Sequence, residues 1–211
     1  MRRTAPAEAV PLLEWALATK TLPGETESGD LSVVKAIPSG AIVAVADGLG
    51  HGAEAAAAAR AAIDAVERHA QESPPALFER CHRALQGTRG VVMSVASFGR
   101  VERSMTWLGV GNVEGLLLPG DGGRRARASL VTRGGIVGSE LPRLQPHAVP
   151  VAPGDLLILA TDGVRDGFGD AVTVDATPQQ LADHILKSYG KGTDDALVLV
   201  VRYRGGTGTK G

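Results

Sequence analysis

The sequence predicts an α+β fold, a layered sandwich of sheets and helices, on three observations. Short apolar runs rich in Val, Ile and Leu recur along the chain, many bounded by glycine or proline. Helical patterns form a pair after the first strands and a single segment near the C-terminus, giving the order strands, two helices, many strands, helix, strand. Regular βαβ alternation is missing, which argues against a doubly wound parallel sheet.

The elements follow in order. Trp15 to Thr19 reads as a first strand, and Leu22 to Gly29 as a polar, turn-rich stretch. Leu31 to Ile37 and Ala41 to Ala46 flank Pro38-Ser39-Gly40, a hairpin signature. Ala53 to Ala70 is alanine-rich without internal Gly or Pro and reads as a helix. Ser73-Pro74-Pro75 supplies a cap and a prolyl first turn for a second helix reaching about Gln86. Strands are expected at Val91 to Phe98, Ser104 to Val110, Val113 to Leu118, Ser129 to Thr132, His147 to Val151 and Leu156 to Thr161. Thr177-Pro178 opens a third helix ending near Tyr189-Gly190, and Ala196 to Tyr203 is the last strand. No repeat or linker divides the chain, so one domain is expected over residues 1–204, with a disordered tail over 205–211.

The bulk composition bounds the function. A chain of 211 residues, 44% hydrophobic and 21% charged, suits one globular domain. Only 3% is aromatic, so Ala, Val and Leu must build the core. With 22 basic and 23 acidic residues, the formal charge of −1 argues against nucleic acid or an anionic membrane as main partner. Cys81 is the one cysteine, which rules out an internal disulfide and a cysteine-based zinc cluster; its apolar helical setting reads as a buried structural thiol. No apolar run approaches the roughly 20 residues that span a bilayer. Met1 to Val10 is basic, but no hydrophobic region follows, since Glu14 interrupts at once after Leu12-Leu13. A soluble cytoplasmic protein is expected.

The chemistry is carried by aspartates at strand ends. Asp47 ends the apolar run of Ala-Ile-Val-Ala-Val-Ala-Asp-Gly, and Asp162 ends that of Leu-Leu-Ile-Leu-Ala-Thr-Asp-Gly. Asp30 opens a strand after Ser28-Gly29, and Asp194-Asp195 immediately precedes the final strand. Ionised carboxylates at the edges of buried strands are costly unless paired or bound to a cation. These motifs hold no comparable set of Lys or Arg, so they imply bound Mg²⁺ or Mn²⁺, which oxygen ligands suit. A single Asp-Gly is more often just a turn. Two such pairs after apolar strands, with two further acidic sites, outweigh that reading. Asp47-Gly48-Leu49-Gly50-His51-Gly52 also mimics a dinucleotide-binding turn, with Glu67 about 20 residues on. That reading fails because a second helix follows instead of a parallel strand, and because Asp47 would repel pyrophosphate.

At these residues the chain resembles the PPM (type 2C) protein phosphatase superfamily and, within it, the SpoIIE-like bacterial branch. The motifs stand in family order over roughly Gly29 to Tyr203: Gly29-Asp30, Val45-Ala46-Asp47-Gly48-Leu49-Gly50-His51-Gly52, Ala160-Thr161-Asp162-Gly163 and Thr193-Asp194-Asp195-Ala196. The resemblance implies an αββα layered sandwich, two mainly antiparallel sheets flanked by helices. It implies two divalent cations, Mn²⁺ or Mg²⁺, with Asp47 bridging both, the Gly48 carbonyl on one, and Asp162 and Asp194 on the other. Asp30 is expected to act through water or from a more remote shell, and Asp195 competes with Asp194 for the ligand position. The lone-domain form, with Leu85 to Gly90 and Gly109 to Gly115, resembles the stand-alone stressosome phosphatases of that branch. That implies a phosphorylated STAS-domain regulator of a stressosome or anti-sigma pathway as substrate.

Two departures stand out. Glu25 occupies the position, about five residues before the early aspartate, where many members place a phosphate-gripping arginine. Leu49 stands where eukaryotic members carry a histidine directly after Asp-Gly. Phosphate gripping then falls to the metals, aided by backbone N–H groups near Gly50 to Ala53. The expected reaction is hydrolysis of phosphoserine or phosphothreonine by metal-activated water, with Asp47, Asp162 and Asp194 as the catalytic set. His51 is read either as a solvated loop histidine or, beside Asp47-Gly48, as a phosphate contact or proton donor. Asn112, between Gly111 and Gly115, reads as a turn residue. The competing class is a regulatory binding module on the same fold with a weakened site; another metal-dependent phosphohydrolase is the third.

Overall fold

The structure, a computed structural model, describes residues 12–121 and 124–206. The basic stretch Met1 to Val10 and residues 207–211 of the expected tail lie outside the described residues.

The chain forms β1 (Leu13–Lys20), β2 (Asp30–Ile37), β3 (Gly40–Gly48), α1 (Gly52–Arg68) and α2 (Pro74–Ala84). It continues through β4 (Val91–Gly99), β5 (Ser104–Val110), β6 (Glu114–Leu118), β7 (Ala128–Ser129), β8 (His147–Pro150) and β9 (Leu156–Ala160), and ends with α3 (Pro178–Tyr189) and β10 (Ala196–Tyr203). A short 3-10 turn spans Phe168–Ala171. One sheet runs β1-β10-β9-β6-β7 and the other β2-β3-β4-β5-β8, with antiparallel pairing throughout both. Helices α1 and α2 pack on the second sheet and α3 on the first, giving the αββα sandwich.

Side-chain alternation decides which face each strand offers. Leu156, Ile158, Ala160, Ala196, Val198 and Val200 meet Leu181, Ala182 and Ile185 of α3. Their neighbours Leu157, Leu159, Leu197, Leu199 and Val201 turn into the core between the sheets. Strand β3 is covered on both faces, so residues 40–46 are all buried and read as one continuous apolar run. Its helical cover is made from alanines 55, 56, 58, 59 and 62, small enough for α1 to lie close to the sheet.

Local chemistry sets the helix ends. Thr177 caps α3 in a reciprocal box with Gln180, and Pro178 fills the first turn, where its missing N–H costs nothing. Cys81 is fully buried, donates from Sγ to the Ala62 carbonyl at 3.5 Å, and burial pushes its thiol up to about 12. It is a structural thiol. Of the expected 129–132 strand only Ser129 pairs in the ladder, together with Ala128 before it. Beyond Leu130 the backbone leaves that sheet edge for β5 of the other sheet, where the Arg133 N–H donates to Gly109 and the Arg133 carbonyl accepts from Gly111.

Candidate metal centre

Antiparallel register gathers the aspartates at one end of the sandwich. Asp30, at the start of β2, stands directly opposite Asp47, near the end of β3. Like charges facing each other across a strand pair repel, so this pairing calls for a compensating cation. Asp162 lies two residues beyond the end of β9, and Asp194 two residues before the start of β10, the strand hydrogen-bonded beside it. The sheets are stitched together here by polar groups. The Thr161 hydroxyl donates to Asp30 at 2.7 Å and accepts from the Leu197 N–H at 2.9 Å.

Asp47, Asp162 and Asp194 line one open cleft of about 200 Å³ with Leu49, Gly50, His51, Val92 and Asn112. No Lys or Arg is among these lining residues. Asp30 lies beneath, 4% exposed and outside the lining set, its carboxylate turned to Thr161. Asp195 is also buried, and its two oxygens accept from the Leu22 and Gly29 N–H groups, each at 2.8 Å. Asp194 faces the cleft and uses Oδ1 to accept from the Asp195 N–H at 2.8 Å. The acidic pair therefore divides its work: Asp195 holds the loop and Asp194 faces the opening.

The electrostatics follow from this crowding. Burial is the largest cause raising the Asp47 carboxyl from 3.8 to about 8, followed by the charges of Asp30, Asp162, Asp194 and Asp195. Burial likewise lifts Asp30 to about 7 against the opposing hydrogen bond from Thr161, with further lift from Asp195, Asp162 and Asp194. The Asp47 carboxyl therefore holds a proton at neutral pH unless another cation takes its place, and hard oxygen donors suit Mg²⁺ or Mn²⁺. Among the described residues no three carboxylate, imidazole or thiolate groups close into a ready-made cage. The three aspartates instead line the walls of an open cleft, which suits cations that keep several waters.

The two glycines after the strand-end aspartates allow close approach. A Cβ on Gly48 would lie 2.1 Å from the Ala55 carbonyl oxygen, and one on Gly163 would lie 1.8 Å from that of Asp195. Any side chain there would push α1 or the Asp194-Asp195 loop off the site.

Two further side chains reach the site from loops. Asn112 sits in the bend between β5 and β6, where the chain crosses between sheets, and its Nδ2 donates to Asp162 Oδ2 at 2.9 Å. The turn reading of Asn112 was thus incomplete, because its side chain reaches the cleft. Glu25 meets His51 Nδ1 at 2.6 Å from the turn-rich stretch before β2. His51 is the N-cap of α1 and lines the cleft mouth, but its ring turns to Glu25 and makes no capping hydrogen bond.

Comparison with known proteins places the chain in a family. The profile of the family described as Stage II sporulation protein E (SpoIIE) matches residues 38–204. The phosphoserine phosphatase RsbX of Bacillus subtilis (strain 168) is 30% identical over 142 residues, which cover 67% of this chain and 70% of that protein. A chain solved in work on the bacterial stressosome, as a modular system adapted to control secondary messenger signaling, superposes with a TM-score of 0.81 at 32% identity. That match covers 90% of this chain and 99% of the other. The crystal structure of RsbX in complex with magnesium gives a TM-score of 0.80 at 25% identity, covering 90% and 95% of the two chains. With the profile spanning most of its length and the αββα sandwich holding its acidic cleft, the chain belongs to the SpoIIE family of PPM (type 2C) protein-serine/threonine phosphatases.

Proposed function

We propose that this protein is a divalent-metal-dependent phosphatase of phosphoserine or phosphothreonine, acting on a STAS-domain regulator of a stressosome or anti-sigma pathway. The observation that carries the reading is the set of three aspartates, 47, 162 and 194, lining one cleft whose walls hold no Lys or Arg. Asp47 would contact both cations, the Gly48 carbonyl and Asp162 and Asp194 would complete the protein's donor set, and Asp30 would act through water. Mn²⁺ or Mg²⁺, when bound, supplies an activated water and neutralises charge on the phosphoryl oxygens.

The chain's own residues have separate tasks. Asn112 holds the Asp162 carboxylate in one orientation through its amide. Asp195 anchors the loop that carries Asp194 by accepting the Leu22 and Gly29 N–H groups. Gly50 and His51, at the mouth, contact the phosphate, and the Glu25 carboxylate fixes the imidazole by accepting from Nδ1, leaving Nε2 to face the leaving serine oxygen. The STAS substrate is supported by likeness to RsbX and to the stressosome-associated chain.

The test is phosphate release from a serine-phosphorylated STAS domain, with and without Mn²⁺. The wild-type protein releases phosphate only with metal, and Asp47→Asn releases none. Near-normal turnover by Asp47→Asn sinks the reading. A protein that hydrolyses p-nitrophenyl phosphate but no phosphorylated STAS domain keeps the phosphatase and loses the substrate.

A further inference from the structure

The cleft mouth carries more negative charge than its metal-facing wall alone. Glu25 lies against His51 there, and Glu54 stands in the first turn of α1. A phosphate monoester, itself an anion, must pass this rim. One guanidinium reaches it, from a segment the proposed mechanism leaves unused. Arg89 lies in the loop between α2 and β4, with its side chain half exposed. Its Nη2 meets Glu54 Oε2 at 2.5 Å, while its Nη1 lies over Gly50, only 2.6 Å from where a Cβ on that residue would stand. Gly50 lines the cleft, so the guanidinium sits on the lip of the opening.

The loop that holds Arg89 is fixed at both ends. The Thr88 hydroxyl donates to the Leu85 carbonyl at 2.7 Å and accepts from the Gly90 N–H at 3.1 Å. The Gly90 carbonyl in turn accepts from the Leu49 N–H at 3.1 Å, and Val91 exchanges backbone hydrogen bonds with Val137. Through its neighbour Gly90, Arg89 is thereby tied to the Leu49-Gly50-His51 segment and keeps its place relative to the cleft. An exposed ion pair such as Arg89–Glu54 adds little to stability, so stability is a weak reason for this construction. Arginine's planar fork, in contrast, matches a phosphoryl group with two parallel donors.

We propose that Arg89 is the phosphate-gripping residue of this site, swinging from Glu54 onto the substrate's phosphoryl oxygens from the α2–β4 side of the cleft. The proposal rests on the phosphatase reading above and adds a specificity-determining residue to it.

The test measures inorganic phosphate binding to the Mn²⁺-loaded protein by calorimetry, alongside KM and kcat for p-nitrophenyl phosphate. Arg89→Ala weakens phosphate binding and raises KM by about tenfold or more, the effect of losing a charge-assisted hydrogen-bond pair, with a smaller change in kcat. Arg89→Lys keeps the charge but not the fork and recovers part of the loss. Glu54→Gln releases the guanidinium and tightens phosphate by up to about fivefold. Mn²⁺ affinity and Tm of Arg89→Ala stay close to wild type. Phosphate affinity that Arg89→Ala leaves within about twofold overturns the proposal, as does a loss matched by an equal loss of Mn²⁺ affinity, which marks a structural staple. If the wild type binds phosphate through Arg89 yet hydrolyses nothing, the phosphatase reading fails and the binding role of Arg89 stands.

Discussion

Asp195 and Asp194 are chemically identical neighbours, yet only one faces the cleft, because the other is consumed by two backbone N–H groups. That distinction comes from the fold of Leu22 to Gly29 around the loop, and no local pattern at 194–195 encodes it. Asp47 and Asp162 were legible, since an aspartate after an apolar strand and before glycine has few explanations other than a turn or a ligand. The opposition of Asp30 and Asp47 could also have been read, because a two-residue turn at Pro38-Ser39 places positions 30 and 47 across from each other. Asn112 and Arg89 were not legible as neighbours of the site, since each reaches it by a loop whose docking is a tertiary event. At this scale Asn112→Ala removes the amide that orients Asp162. Mn²⁺ affinity is expected to fall about 10- to 100-fold, as for other partners of metal ligands, with little change in Tm. Titration calorimetry checks this, and unchanged affinity removes Asn112 from the site.

At the scale of elements, period and punctuation gave most of the strands and helices, to within a few residues at their ends. Pro74 and Pro178 start helices at their first turn, and the fully apolar run of β3 reflects cover on both faces. The 129–132 region was misjudged because its apolar residues are used in a crossover between sheets instead of in a ladder. The element-scale contact with most consequence is Thr161, whose hydroxyl joins β2 to β9 and β10 at the site. Thr161→Val keeps the shape but leaves Asp30 and the Leu197 N–H without that partner. A loss of about 1–3 kcal/mol in urea unfolding is expected for such buried groups. An unchanged midpoint would show that the bridge between the sheets is dispensable.

For the whole molecule, the acidic cluster makes stability depend on pH and metal together. A carboxyl whose folded pKa exceeds its unfolded value binds its proton more tightly in the fold. Its contribution is full below the unfolded value and is lost as pH rises through the folded one. For Asp47 that window runs from 3.8 to about 8, and Asp30, at about 7, adds in the same direction. The Tm of metal-free protein is expected to fall across this range as the two groups deprotonate. Saturating Mn²⁺ offsets the fall, since the cation binds the deprotonated folded form. A metal-free Tm that climbs through this window contradicts the assignment. The sandwich itself follows from alternation along the strands and the small-residue face of α1, whereas the cleft follows from register. No helix among the described residues is long and apolar enough to cross a membrane. The most direct measurement of the central claim is anomalous scattering from Mn²⁺-soaked crystals. Manganese peaks bonded to Asp47, Asp162 and Asp194 are the predicted result; a cleft without manganese, or manganese bound away from these three, contradicts it.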